Sequence, residues 1–357
     1  MSHGDLFRKK MGLYAHRELA FLGASCDYMR EIANRLRHIL NTYTIGYLDG
    51  THGDTKPSQP DFVGHDFGFQ TVHNTAWDKF EGAIQTNHLD ALIINGHHYP
   101  GQVQLLFCDE KKAGTLDRRN EQLTGIMAVF VEGNADLPPH IQSLIEHRTG
   151  VVILRSVEEL AMWFQKMFLS PPLLEGLILV GGKSERMGTD KSMIEHHGIP
   201  QWKYLAMCME DLGMKVNLSC RAEQAEQYRR EGLTIVADRI NGAGPLGGIV
   251  SAFMHNAHTA YLAVACDMPN IDSKAMIELI QHRHPSQFAT CFINEEKEWP
   301  EPLFTIWEPK SYMRMMEFIA LGYSCPRKIL MNSPVKTVVP NDHSVLNNVN
   351  TPEDLNR

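Results

Sequence analysis

The sequence predicts an α/β protein of two domains, and three observations carry that prediction. Its 357 residues exceed the roughly 150 residues of a typical single-core domain. In both halves, apolar runs of strand length alternate with amphipathic segments, which predicts mostly parallel sheets covered by helices. Finally, Ser170, Pro171 and Pro172 separate a helical stretch, VEELAMWFQKMF, from a fresh strand, LEGLILV, and paired prolines favour extended backbone. The expected domains are 1–170 and 174–357.

In the first domain ELAFLGAS (18–25), TIGYLDG, LDALIING (89–96), IMAVFVEG (126–133) and VVILRS (151–156) read as strands, with a helix over about 28–40. Residues 52–74, polar and rich in Gly, Pro and His, read as loop. In the second domain LILV (177–180), VNLSC (216–220), TIVAD (234–238) and YLAVAC (261–266) are strands, apolar on both faces as burial between two helical layers requires. Helices are expected over 201–212, through AEQYRRE and through GGIVSAF. Ligands of such a sheet sit at the carboxyl ends of its strands.

Composition excludes several classes of function. With 34 basic against 42 acidic residues the net charge is -8, which argues against nonspecific nucleic-acid binding, so an anionic ligand must find local positive charge. The longest apolar runs fall short of the roughly 20 residues that span a bilayer. MSHGDLFRKK lacks the apolar core of a signal peptide, and a cytoplasmic protein without a membrane partner is expected. The seven cysteines include no CxxC pair and read as reduced core thiols.

Chemistry concentrates directly after LILV, in GGKSERMGTDK (181–191). Gly181 and Gly182 at a strand's carboxyl end allow a sharp turn that presents bare N–H groups, a nest for phosphate oxygens. Arg186 offers a planar fork for two oxygens and Lys191 a movable point charge; together they suit a triphosphate. The spacing matches neither GxGxxG nor GxxxxGK[ST]. Asp267 ends the apolar strand YLAVAC, where a hard carboxylate suits magnesium or simply closes a strand-end turn. Asp238 and the GPLGG turn beginning at Gly244 form either a ligand-contacting loop or a plain strand-turn-helix joint, with Pro245 fixing the helix entry. Asn350 read alone is a helix cap for TPEDL.

GGKSERMGTDK resembles the signature of the MobA-like nucleotidyltransferases, and VAD, GPLGG, CDMP and NVNTPEDL follow in that family's order across 174–357. The resemblance implies a Rossmann-like nucleotidyltransferase fold and transfer of GMP from GTP to the phosphate of molybdopterin, the precursor of the molybdenum cofactor, with release of pyrophosphate. It implies that Leu179, Val180, Gly181, Gly182, Ser184, Lys191, Asp238, Gly244 and Asp267 bind the nucleotide. It further implies that Arg186, Lys191 and Asp267 are catalytic and that Asp267 with Asn350 holds Mg2+. The acceptor phosphate is already ionised near neutral pH, so catalysis reduces to positioning and charge stabilisation. Three departures bear on the base: Val180 replaces the usual Ala, Glu185 the frequent Arg, and VNLSCR lacks the asparagine expected near Leu218 or Cys220, although Arg221 is present. A cytidylyltransferase, a transferase for another phosphorylated acceptor, and a noncatalytic nucleotide-binding scaffold remain the alternatives.

LAFLGASCDYMREIANRL and DALIINGHHYPG resemble the MobB-type GTP-binding adaptor. A P-loop starting at Gly23 needs Gly, Lys and Ser or Thr at 28–30, where Tyr28, Met29 and Arg30 stand. The expectation is a P-loop-like α/β domain without a working P-loop and without GTP hydrolysis. It would instead dock the acceptor, a molybdoenzyme or cofactor-biosynthesis partner, or a second subunit. His97 and His98 read as solvated loop side chains.

Overall fold

The computed structural model describes residues 15, 17–50, 61–63, 70–71, 82, 84–180, 193–229, 232–295 and 298–349. The chain divides into two compact units, Met1–Ser170 and Pro171–Arg357.

The first unit runs β1 (Glu18–Leu22), α1 (Cys26–Ile39), β2 (Ile45–Asp49), β3 (Asp61–Val63), β4 (Gln70–Thr71), β5 (Ala91–Asn95), β6 (Gln104–Phe107), α2 (Ala113–Arg118), β7 (Ile126–Phe130), α3 (Pro139–Ile145), β8 (Val152–Leu154) and α4 (Val157–Phe168). Its sheet has the order β4-β3-β2-β5-β1-β6-β7-β8. The six strands from β2 to β8 in that order are parallel, and β3 and β4 add antiparallel at one edge. Strands β1, β2 and β5 are buried at every position, as their apolar runs require when helices cover both faces. Helix α1 buries Met29, Ile32, Ala33 and Leu36, one stripe at helical spacing, against a core shared with Leu160 and Phe164 of α4. Both helices start on serine caps: Ser25 Oγ accepts from Tyr28 N–H (3.3 Å) and Ser156 Oγ from Glu159 N–H (3.2 Å). The turn between β1 and α1 needs Gly23, whose φ is +86° and where a Cβ would lie 2.6 Å from Phe107 O.

The second unit runs β9 (Leu174–Leu179), α5 (Gln201–Asp211), β10 (Val216–Cys220), α6 (Ala225–Arg229), β11 (Thr234–Ala237), α7 (Pro245–His255), β12 (Ala260–Ala265), α8 (Ser273–Gln281), β13 (Ala289–Asn294), β14 (Trp299–Trp307), α9 (Ser311–Ala320), α10 (Pro326–Met331) and β15 (Val335–Val338). Its sheet order is β11-β10-β9-β12-β14-β13-β15. The chain steps outward from β9 through β10 to β11, then crosses back to β12 on the other side of β9. That reversal opens a crevice at the carboxyl ends of the parallel strands. Strand β14 runs antiparallel to both of its neighbours, so the sheet is mixed at this one place. Helix α7 packs Leu246, Ile249, Val250 and Phe253 on one face of the sheet, and α5 packs Trp202, Leu205 and Met209 on the other. Glu308, fully buried, takes a bidentate bond from Arg283 (2.7 and 3.0 Å), and Arg283 also donates to Pro172 O (2.9 Å). None of the seven cysteines is in a disulfide. Burial pushes the Cys220 thiol up to about 11. Among the described residues no helix is long and apolar enough to cross a membrane.

Candidate functional site

Parallel pairing of β9 with β12 sets Leu179 beside Ala265. Leu179 and Val180, which lead into 181–191, therefore reach the same sheet edge as Cys266 and Asp267. Val180 donates its N–H to Ser219 O (2.9 Å) while its side chain is buried in the core with Trp202, so only its backbone is suited to meet a ligand. Gly181, Gly182, Ser184, Arg186, Lys191 and Asn350 lie outside the described residues.

Asp267 is half-buried in a turn braced from two sides. On one side the fully buried Gln201 donates to Met268 O (3.3 Å), and His197 Nε2 donates to Pro269 O (2.9 Å) while its ring stacks on Tyr204 at 3.8 Å. On the other side Val349 N–H donates to Asp267 O (2.8 Å) and Asn270 donates to Ser344 O (3.0 Å). The backbone directly preceding Asn350 is thus bonded to the residue expected to share a metal with it.

A second group gathers where β11 ends. Asp238 N–H donates to Cys220 O (2.9 Å), and Ser219 Oγ donates to Asp238 Oδ1 (3.2 Å). Burial pushes the Asp238 carboxyl above the usual carboxylate range, with the Ser219 bond and the Arg221 charge opposing. A Cβ on Gly248 would lie 2.4 Å from Ser219 Oγ, 3.1 Å from Leu179 Cδ2 and 3.5 Å from Asp238 Oδ1, so α7 approaches the strand ends only because glycine stands there. Gly244 caps that helix with a φ of +56°, and Ser251 ties its first turn to Arg239 N (2.8 Å) and Gly247 O (2.6 Å). Leu179, Asp238 and Gly248 therefore form one wall of the edge, and Asp267 stands across β9 from it.

Glu301 on β14 was invisible to sequence reasoning. It is 8% exposed, accepts from Leu303 N–H (3.0 Å) and is paired with Arg327 (3.3 Å). Burial pushes its carboxyl up; Leu303 N–H and Arg327 oppose, and the charge of Asp267 adds to the rise. Its sequence context, an acid between two prolines in WPEPLF, does not show that the side chain is buried.

In the first unit, the place a P-loop would occupy is filled from within. Met29 is in the core and Arg30 donates to Asp49 Oδ2 (2.6 Å), while Asn95 donates to Asp49 Oδ1 (2.7 Å). The histidines are a correction: they are half-buried rather than solvated. His97 Nε2 donates to Ala24 O (3.0 Å), and His98 Nε2 lies 3.7 Å from Asp49 Oδ1 and 3.5 Å from Cys26 Sγ. The parallel sheet carries Cys26, Asp49 and His98 from separate strand ends to one spot, which sequence spacing does not display. Among the described residues no group of three or more His, Cys, Asp or Glu side chains forms a metal-holding cluster.

The family model of the MobA-like NTP transferase domain matches residues 176–335. A molybdenum cofactor guanylyltransferase of Pseudomonas entomophila is 30% identical over 190 residues, 52% of this chain and 97% of that protein. A molybdenum cofactor biosynthesis bifunctional protein of Synechocystis sp. is 30% identical over 214 residues, and the match spans 60% of this chain and 62% of that protein. The solved molybdopterin-guanine dinucleotide biosynthesis protein A of Archaeoglobus fulgidus is similar over 51% of this chain and 95% of its own, at 22% identity and a TM-score of 0.45. Through its second unit the chain belongs to the MobA-like NTP transferase family.

Proposed function

We propose that this chain is a molybdenum cofactor guanylyltransferase, which transfers GMP from GTP to the phosphate of molybdopterin and releases pyrophosphate. The observation that carries the reading is the β9–β12 register, which brings the approach to GGKSERMGTDK and the Asp267 turn to one edge of the sheet. In this reading Gly181, Gly182, Ser184, Arg186 and Lys191 take the triphosphate, the last two neutralising the charge that builds on the leaving pyrophosphate. Leu179, Val180, Asp238 and Gly244 line the nucleotide. An ionised oxygen of the acceptor phosphate forms the new bond to the α-phosphorus as the bond to the β-phosphate oxygen breaks, so no side chain need remove a proton.

A half-buried carboxylate just past the end of a strand is the hard-oxygen chemistry that magnesium takes. Asp267 and Asn350 would hold it, and the ion supplies charge neutralisation for the triphosphate. The first unit takes no part in nucleotide chemistry; its role is to dock the acceptor, a molybdoenzyme partner or a second subunit. The test is turnover of GTP and molybdopterin in two variants. Asp267→Ala should abolish it, and Lys191→Ala should lower it at least about a hundredfold. Full activity in Asp267→Ala would overturn the metal assignment.

A further inference from the structure

The first unit gathers a set of side chains that the transferase chemistry of the second unit does not use. Strand β1 leads into α1 at Cys26, β2 ends at Asp49, and β5 leads into the turn that carries His98, so three neighbouring parallel strands deliver these residues to one edge of the sheet. His98 Nε2 lies 3.5 Å from Cys26 Sγ and 3.7 Å from Asp49 Oδ1. A thiol within reach of a ring nitrogen that stands beside a carboxylate is the arrangement of a nucleophile, its base and the group that steadies the base.

Each member is fixed in place. Asp49 gives Oδ2 to Arg30 (2.6 Å), while Oδ1, the oxygen beside His98, accepts from Asn95 (2.7 Å) and from Gly50 N–H (2.8 Å). Asn95 also sets the turn: its side chain accepts from His97 N–H (3.0 Å) and its carbonyl from His98 N–H (3.0 Å). The imidazole rests against Gly50, where a Cβ would lie 2.6 Å from Nδ1. Tyr47, two residues before Asp49 and so on the same face of β2, adds a buried hydroxyl that takes no hydrogen bond among the described residues. Burial pushes that hydroxyl up and the charge of Asp49 adds to the rise, which keeps it a neutral donor.

The remaining cysteines are placed differently. Cys208, Cys220, Cys266 and Cys291 are buried and Cys325 is exposed. Cys108, the second thiol of the first unit, packs against the layer of Leu22, Leu48 and Ile94, on the opposite face of the sheet from Tyr47 and α1, and burial pushes it up to about 11. Cys26 thus has a base but no second thiol of the first unit on its own side of the sheet, so a disulfide at Cys26 must carry an external partner.

We propose that Cys26 and His98 are a nucleophile–base pair and that Cys26 is a modification site for low-molecular-weight disulfides. His98 Nε2 accepts the Cys26 proton, and Asp49 Oδ1 meets the imidazolium charge. The Cys26 sulfur bonds to one sulfur of the disulfide as that S–S bond breaks; the other sulfur leaves with the electron pair and takes the proton from His98. Cys26 ends in a mixed disulfide, and the leaving half of the reagent is reduced to a free thiol.

The experiment is reaction of the full chain with dithiodipyridine, a small neutral disulfide, at neutral pH, with each cysteine followed by mass spectrometry of its peptide and a thermal melt of each variant. Cys26 should react at least about tenfold faster than Cys325 although Cys325 is the more exposed, and His98→Gln should erase that lead while leaving Cys325 unchanged. Gly50→Ala, whose added methyl displaces the ring, should slow Cys26 in the same way. Cys26 reacting no faster than Cys325 in the wild type would overturn the inference. So would a Cys26 rate that His98→Gln leaves unchanged, because the reactivity would then owe nothing to the ring. Should His98→Gln fail to fold, the wild-type ratio and Gly50→Ala decide.

Discussion

Asp238 shows how a single residue bears the conflict between folding and function. Burial raises its carboxyl pKa, so between the ordinary value and the raised one the native state binds the proton more readily than the unfolded chain. Stability then falls as pH rises through that window, and at neutral pH the ionised side chain costs stability. Asp238→Asn keeps the Ser219 bond and removes the charge. It should raise the melting temperature by a few degrees at neutral pH, with the gain vanishing once acid protonates the wild-type group, and it should weaken nucleotide binding. A lower melting temperature at neutral pH would mean that the carboxylate has a stabilising partner. Asp238 and Asp267 stand out in the sequence because each ends an apolar run. Glu301 does not, because what marks it is burial and a pairing with Arg327 that local sequence does not display.

At the scale of elements, the strand-helix rhythm from β9 to β12 was legible because β10 and β12 are buried at every position, β9 over its middle four, and the helices between them carry apolar stripes. The observed β10, Val216–Cys220, covers the expected VNLSC, and α5 starts at the expected Gln201. What followed Asp267 was not legible: β14 runs antiparallel between β12 and β13 while β15 pairs parallel with β13, an order that depends on partners, not on local pattern. In the first unit β6 was missed because QLLF is four residues long and borders polar turns. Helix α1 was legible, its changed task less so. Where a phosphate-binding helix would present lysine and a hydroxyl, α1 buries Met29 and spends Arg30 on Asp49, whose side chain is 4% exposed. Arg30→Met should lower stability by about 2 kcal/mol in urea unfolding, since it leaves a buried carboxylate with only its neutral donors. It should leave GTP binding by the full chain unchanged; a loss of GTP binding would mean that the first unit holds nucleotide after all.

For the molecule as a whole, the division of labour follows from where charge is found. The chain is acidic overall, yet the sequence directly after β9 contains Lys183, Arg186 and Lys191, while the first unit's Arg30 is spent internally. An account that places all nucleotide chemistry in the second unit is tested most directly by calorimetric titration of the full chain with GTP, CTP and ATP, each with magnesium, in the wild type and in Lys191→Ala. Selective GTP binding in the wild type that is lost in Lys191→Ala is the predicted result. GTP binding that survives Lys191→Ala unchanged, or selective binding of CTP, would contradict the account.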